Sequence, residues 1–170
     1  YTLLPEQDRR ELIDGEFYVV PAPSIWHQDI VANLGMILRG YVKANNLGKV
    51  LWAPCDVVLS EHDVVQPDVL FVSGERSGII TKDNIRGGPD LVVEVLSPST
   101  ASRDRELKLR LYAAHGVREY WIVDPDAKTV QVLALAQDGS HSARTHDSGP
   151  VPSAVLPDLT VDVGEIFEQS

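Results

Sequence analysis

The spacing of apolar residues changes several times along the chain, and each change marks an element. Glu11–Pro21 alternates, with Phe17 and Val19 on the return leg and Asp14-Gly15 between the legs, which predicts an N-terminal hairpin. From Ser24, a candidate N-cap, the period lengthens: Val31, Leu34, Leu38 and Tyr41 fall on one stripe of a long helix that ends near Asn45-Asn46 or Gly48. Short strand-like runs follow at Lys49–Trp52, Asp56–Leu59 and Val64–Val72. Ser73–Gly88 is polar and turn-rich and reads as a loop with one short helical turn. Leu91–Leu96 is apolar on both faces apart from Glu94, the pattern of a central strand covered on both sides. Ser97-Pro98-Ser99 breaks it, and Ser102–His115 is helical up to Gly116. Glu119–Val123 and Thr129–Ala134 read as strands joined at Asp124-Pro125-Asp126. Leu159–Val163 reads as a last strand before a terminal helical turn.

Strands, then strand–helix–strand around a central apolar strand, predict a mixed sheet flanked by helices in one α/β (α+β) domain over residues 1–170. No apolar run approaches the roughly 20 residues of a membrane span. The chain starts at Tyr1 with no signal-peptide pattern, and without a methionine it reads as though a short leader precedes it. A single cysteine, Cys55, rules out an intrachain disulfide and fits a reducing cytoplasm. The net charge of −10 argues against a general nucleic-acid coat, because nonspecific affinity comes from Lys and Arg neutralising phosphates. A local basic rim and bound metal ions could offset that field.

Three residues do not fit a purely structural reading. Glu94 interrupts Leu91-Val92-Val93-Glu94-Val95-Leu96. A buried carboxylate needs a cation, a metal or a proton, although a buried ion pair that only specifies the fold would also satisfy it. Asp68 follows Pro67, which removes a ladder donor and suggests an edge or bend, and it opens the apolar run Val69–Val72. Carboxylates on neighbouring strands repel, and a hard divalent cation relieves the repulsion; Mg²⁺ is usually held by one or two carboxylates plus water and phosphate oxygens. Lys108 falls within an arc of roughly 140° with Leu107, Leu111, Tyr112 and His115, opposite Glu106, Arg110 and Ala113. It therefore lies on or beside the sheet-facing side, either aimed at the acids or snorkelling over apolar surface.

The run QPDVLFVS…GGPDLVVEVLSPSTASRDRELKLRLYAAHGVREYWIVDP resembles the Uma-two family, a restriction-endonuclease-like group of the PD-(D/E)xK nucleases. The likeness extends upstream through ELIDGEFYVVPAPSIWHQDIVANL and downstream through SAVLPDLTVDVGEIF, which is nearly the whole chain. It implies that Pro67-Asp68 is the PD element, that Glu94 is the (D/E) position, and that Asp68, Glu94 and the Val95 carbonyl hold Mg²⁺ or Mn²⁺. Val95-Leu96 departs from the pattern by placing leucine where lysine stands, and Lys108 matches a lysine moved to the following helix. Glu16 resembles an extra acid supplied by an N-terminal element, or is an exposed hairpin residue. His27 matches a histidine of the family and either lines the site or packs in the core.

The resemblance implies a metal-dependent nuclease acting on a nucleic acid, DNA first. The moved lysine and the acidity leave room for a binding or assembly module that keeps the fold without turnover, and a hydrolase of small phosphate esters is a third reading. A homodimer is expected, since pairing lengthens a substrate track. His141 and His146 lack metal-ligand spacing. Ser97 and Ser99 lack a nucleophile-elbow context and read as caps of the Lys108 helix. Tyr112, Trp121 and Asp124 read as structural.

Overall fold

The computed structural model describes residues 9–169; residues 1–8 and 170, part of the span read as one domain, lie outside them. Strands β1 (Arg10–Ile13) and β2 (Glu16–Val19) form the expected hairpin. Asp14 and Gly15 both take positive φ at its turn, 52° and 78°, as a two-residue hairpin of this hand requires. Helix α1 (Ile25–Ala44) is capped by Ser24, whose side chain accepts from the His27 amide, and it stops at Asn45. Ile30, Leu34, Leu38 and Val42 form its buried stripe, with Val31 and Tyr41 at the margins.

The strand read over Val64–Val72 is two strands. Gln66-Pro67-Asp68 separates β5 (Asp63–Val65) from β6 (Val69–Ser73), and the two belong to different sheets. Proline offers no ladder donor, so the chain leaves one sheet there and enters the next. The smaller sheet runs β2-β1-β5-β4-β7, with β4 at Val57–Ser60 and the two-residue β7 at Ile85–Arg86. The larger sheet runs β11-β10-β9-β8-β6-β3, with β3 at Gly48–Trp52, β8 at Leu91–Val95, β9 at Glu119–Asp124, β10 at Thr129–Leu135 and β11 at His141–His146. Only β8 and β9 pair in parallel in this sheet, joined by helix α2 (Ala101–Ala114); its other pairings are antiparallel.

Alternation along the central strands splits the interior into two apolar layers. Val69, Phe71, Leu91, Val93, Val95, Trp121 and Val123 face α1 and the C-terminal segment. Leu70, Val72, Val92, Tyr120 and Ile122 face α2 and the smaller sheet. Each fully buried Val, Leu or Ile contributes roughly 1.5–3 kcal/mol, so both faces anchor the large sheet. The mixed sheet flanked by helices is the expected class.

Two other readings change. β11 is a strand where the sequence predicts none: nearly every residue in it is exposed, and an edge strand with both faces wet carries no apolar period. Leu159–Val163 does alternate, burying Leu159, Val161 and Val163, yet it has one bridge, Pro150 to Asp162, and no strand ladder. It is an extended segment that closes the α1 layer and leads into α3 (Val163–Ile166).

Candidate active site

The antiparallel register of β6 and β8 pairs Val69 with Val93, and continuing it sets Asp68 opposite Glu94. The Val95 amide donates to Asp68 Oδ2 at 2.8 Å. His27 comes from the first turn of α1, oriented by the Ser24 cap. Its Nε2 lies 3.1 Å from the Val95 carbonyl oxygen and 3.3 Å from Asp68 Oδ2. Both neighbours are acceptors, so Nε2 carries the proton. Burial works against the imidazolium, but the hydrogen bond and charge of Asp68 and the Val95 carbonyl outweigh it, so the His27 pKa is raised.

Glu94, 4% exposed, points toward α2. Its Oε1 accepts from Lys108 Nζ at 2.8 Å and from the Tyr112 hydroxyl at 2.6 Å. Lys108 Nζ also lies 2.9 Å from Glu11 Oε1 and 3.5 Å from Asp104 Oδ1. Glu11 in turn accepts from the Gln66 amide at 3.0 Å and faces the Arg103 guanidinium at 3.6 Å. These residues, with Asp68, Val95 and His27, line one cleft of about 840 Å³; Tyr112 lies behind its wall.

The cluster is short of positive charge. Glu11, Glu94 and Asp104 face Lys108 and Arg103, Asp68 faces His27, and Glu11 Oε2 and Asp104 Oδ1 are buried with only an ion-pair partner beyond hydrogen-bond geometry, at 3.6 Å and 3.5 Å. Glu94 is pushed well above the usual carboxylate range, by burial first and then by Asp104, Asp68 and Glu11, with Lys108 opposing. Asp104 is also raised, chiefly by burial, again with Lys108 opposing. Burial disfavours the charged lysine, but Glu11, Glu94 and Asp104 together outweigh it and raise the Lys108 pKa. These surroundings favour the ammonium form of Lys108, which donates to Glu94 Oε1.

These shifts predict a pH dependence. A carboxyl whose folded pKa exceeds its unfolded value holds more protons when folded, so stability falls as pH rises through that interval. For Glu94 the interval begins near the ordinary value of about 4.3. In metal-free solution at neutral pH, Glu94→Gln is expected to melt above wild type by about 2–4 °C, and the gap is expected to close toward pH 4. Melting curves over that range check it; a variant several degrees less stable at neutral pH would mean that the fold needs this anion.

Of the residues singled out from sequence, Asp68, Glu94, Val95, Lys108 and His27 converge. Glu16 does not join them. It is exposed on β2, where Tyr18 Oη donates to it at 3.3 Å, and it does not line the cleft. The hairpin delivers Glu11 instead, from the strand whose residues face inward. Glu11 and Asp104 were missed; Tyr112, read as structural, donates to Glu94 from behind the cleft wall. Asp104 precedes Lys108 by one helical turn, and an i,i+4 acid–base pair on a sheet-facing arc was the available signal. Ser97 and Ser99 do not cap α2: Thr100 holds the N-cap position without a side-chain cap bond, and the Ser97 and Thr100 hydroxyls bond each other at 3.0 Å.

The family model described as "Uma2: Putative restriction endonuclease" matches residues 1–164. The chain belongs to the Uma2 family. An uncharacterized protein of Synechocystis is 25% identical over 143 residues, covering 79% of this chain and 70% of that relative. A crystal structure from Anabaena variabilis, described as a putative nuclease, superposes with a TM-score of 0.81 at 20% identity, over 98% of this chain and 93% of that one. That likeness carries the fold: the Uma2 chain and this neighbour share one mixed α+β architecture.

Among the described residues, no group of three or more His, Cys, Asp and Glu side chains is arranged to hold a metal ion. The donor set expected from sequence is two carboxylates and the Val95 carbonyl, all hard oxygens, of which Asp68 Oδ2 and the Val95 carbonyl already meet His27 Nε2. That set fits a hard divalent cation completed by water and substrate, not a soft or all-protein site. No helix of the described residues is long and apolar enough to cross a membrane.

Proposed function

We propose that this chain is a metal-dependent nuclease that hydrolyses phosphodiester bonds of nucleic acid, DNA first, at the Asp68–Glu94–Lys108 cluster. The observation that carries this reading is a buried lysine, Lys108, 2.8 Å from Glu94, with Asp68 one step beyond the Val69–Val93 pair and all three lining one cleft. The net excess of carboxylate there supports a divalent cation, Mg²⁺ or Mn²⁺, held by Asp68, Glu94 and the Val95 carbonyl. When bound, such an ion supplies a Lewis acid and an acidified water.

The remaining roles follow from the side chains. Tyr112 and Lys108 both donate to Glu94 Oε1 and fix that carboxylate. Glu11 and Asp104 keep the ammonium charged and aimed. Lys108 then stabilises negative charge developing on phosphate oxygens or orients the attacking water. His27 holds Asp68 and the Val95 carbonyl together through Nε2.

A second reading has its own observation. Lys108 is 3% exposed and surrounded by three carboxylates, the arrangement of a charge that specifies a fold. A binding or assembly module would keep that arrangement without turnover. Incubation of the purified chain with circular and linear DNA in Mg²⁺, Mn²⁺ or EDTA separates the two. Cleavage that needs the cation and disappears in Asp68→Asn supports the nuclease. Intact substrate in every condition, from a folded protein, leaves the binding module. A two-fold dimer is part of the proposal, since it would lengthen the track available to one acidic chain; sedimentation as a monomer at high concentration would count against it.

A further inference from the structure

The cleft does not end at the carboxylates. Its far wall is apolar: Val31, Ala32 and Met36 of α1, with Trp52, Ala53 and Pro54 leaving β3. Trp52 is 43% exposed and Met36 65%, an unusual allowance of large apolar surface beside a polar site. This wall adjoins the reacting end. Trp52 pairs in register with Val69, and the Ala53 amide donates to the Asp68 carbonyl at 3.1 Å.

The indole is held in a particular way. Gly35, inside α1 and buried, lies beneath it: a Cβ there would come within 3.2 Å of the ring. Glycine in a helix interior weakens the helix by roughly 0.5–1 kcal/mol relative to alanine. The ring's seat against α1 accounts for its use. One turn further on, the Arg39 guanidinium stands 5.7 Å from the ring centroid. The guanidinium lies over the ring and α1 backs it, so the part of the indole still exposed is the surface on which a base can stack while its phosphate meets positive charge.

Charge argues for what occupies it. Duplex recognition without base contacts needs a long track of Lys and Arg. This chain carries 25 acids against 15 Lys and Arg. At the cleft, Arg103 is engaged with Glu11 and Arg105 with Asp124. A single strand also needs cations along its backbone, but its unpaired bases gain a stacking contribution on an aromatic face that does not draw on the net charge and that a closed duplex cannot use. Resting on the nuclease reading of the adjoining carboxylates, we propose that Trp52 is a base-stacking platform, and that the site takes single-stranded or locally unpaired nucleic acid.

The test is binding, read apart from turnover. An end-labelled oligothymidylate with phosphorothioate linkages and a hairpin duplex of equal length are titrated by anisotropy in Mg²⁺ with the full chain, Trp52→Ala and Trp52→Phe. Melting curves confirm that each variant is folded. Expected are tighter binding of the single strand than of the duplex, quenching of tryptophan emission, weakening by about 5- to 100-fold in Trp52→Ala, and near-complete retention in Trp52→Phe. These results uphold the platform even if no nucleic acid is cut, in which case only the nuclease reading fails. Equal or tighter duplex binding, or wild-type affinity in Trp52→Ala, overturns the platform whether or not cleavage occurs. Self-association lost in Trp52→Ala with oligothymidylate affinity unchanged overturns it as well, and gives the wall to a second copy of the chain.

Discussion

Lys108→Met is expected to destabilise the metal-free protein by about 3–5 kcal/mol at neutral pH and to remove cleavage by about 10²–10³-fold. The first effect follows from the three carboxylates around the ammonium. Without it, Glu11, Glu94 and Asp104 face one another across a buried space, with Arg103 still 3.6 Å from Glu11. Methionine fills most of the volume, so the loss reports charge more than cavity. Two features separate this from ordinary core damage. The deficit shrinks as pH falls, because the raised Glu94 and Asp104 carboxyls can take up protons where the lysine stood. Millimolar Mg²⁺ is expected to return part of the stability if the acids hold a cation. Urea melts at two pH values, with and without Mg²⁺, measure both. A loss that depends on neither would make Lys108 a packing residue.

From sequence alone, a stable Lys108→Ala variant would have favoured a catalytic lysine and an unstable one a scaffold. The structure removes that contrast. One ammonium serves Glu11, Glu94 and Asp104 at once, so both readings predict an unstable variant.

How much was legible depended on how local the cause was. Glu94 stood out because one carboxylate in an apolar strand contradicts its surroundings. Lys108 could be placed on the sheet side from helical angles, and α1 from its stripe and the Ser24 cap. Glu11 left no such mark. In Glu11-Leu12-Ile13 it looks like an ordinary hairpin residue, and its burial arises only when the small sheet folds over α2. Glu16 and Glu11 lie on the two legs of one hairpin, and nothing local says which leg faces the cleft. Pro67 signalled a bend, but not that the bend moves the chain between sheets. That move ends β5 and sets Asp68 at the start of β6, opposite Glu94. β11 and the C-terminal extended segment fail in opposite ways: the first is a ladder with no apolar period, the second an apolar period with one bridge.

Because Lys108 serves both fold and site, Asp68→Asn gives the cleaner division, with a loss of about 10²–10³-fold in metal-dependent cleavage and little change in melting. Asp68 is half-buried at the cleft, unlike the enclosed Glu94. Its structural duty is to accept the Val95 amide at 2.8 Å and to meet His27 Nε2 at 3.3 Å. An asparagine oxygen can still accept both, so the β6–β8 junction keeps its bonds. What disappears is the negative charge, one of the two proposed to hold the cation. His27 changes with it: Asp68 is the chief influence raising its pKa, so the imidazole is expected to titrate lower in the variant. Three measurements on one protein resolve the outcome: Mg²⁺ titration calorimetry, a nicking assay and a thermal melt. Lost heat and lost nicking with an unshifted melt assign Asp68 to the metal. Unchanged heat and unchanged nicking would remove Asp68 from the site. A collapsed melt would mean that its charge, and not only its hydrogen bonds, holds β6 against β8.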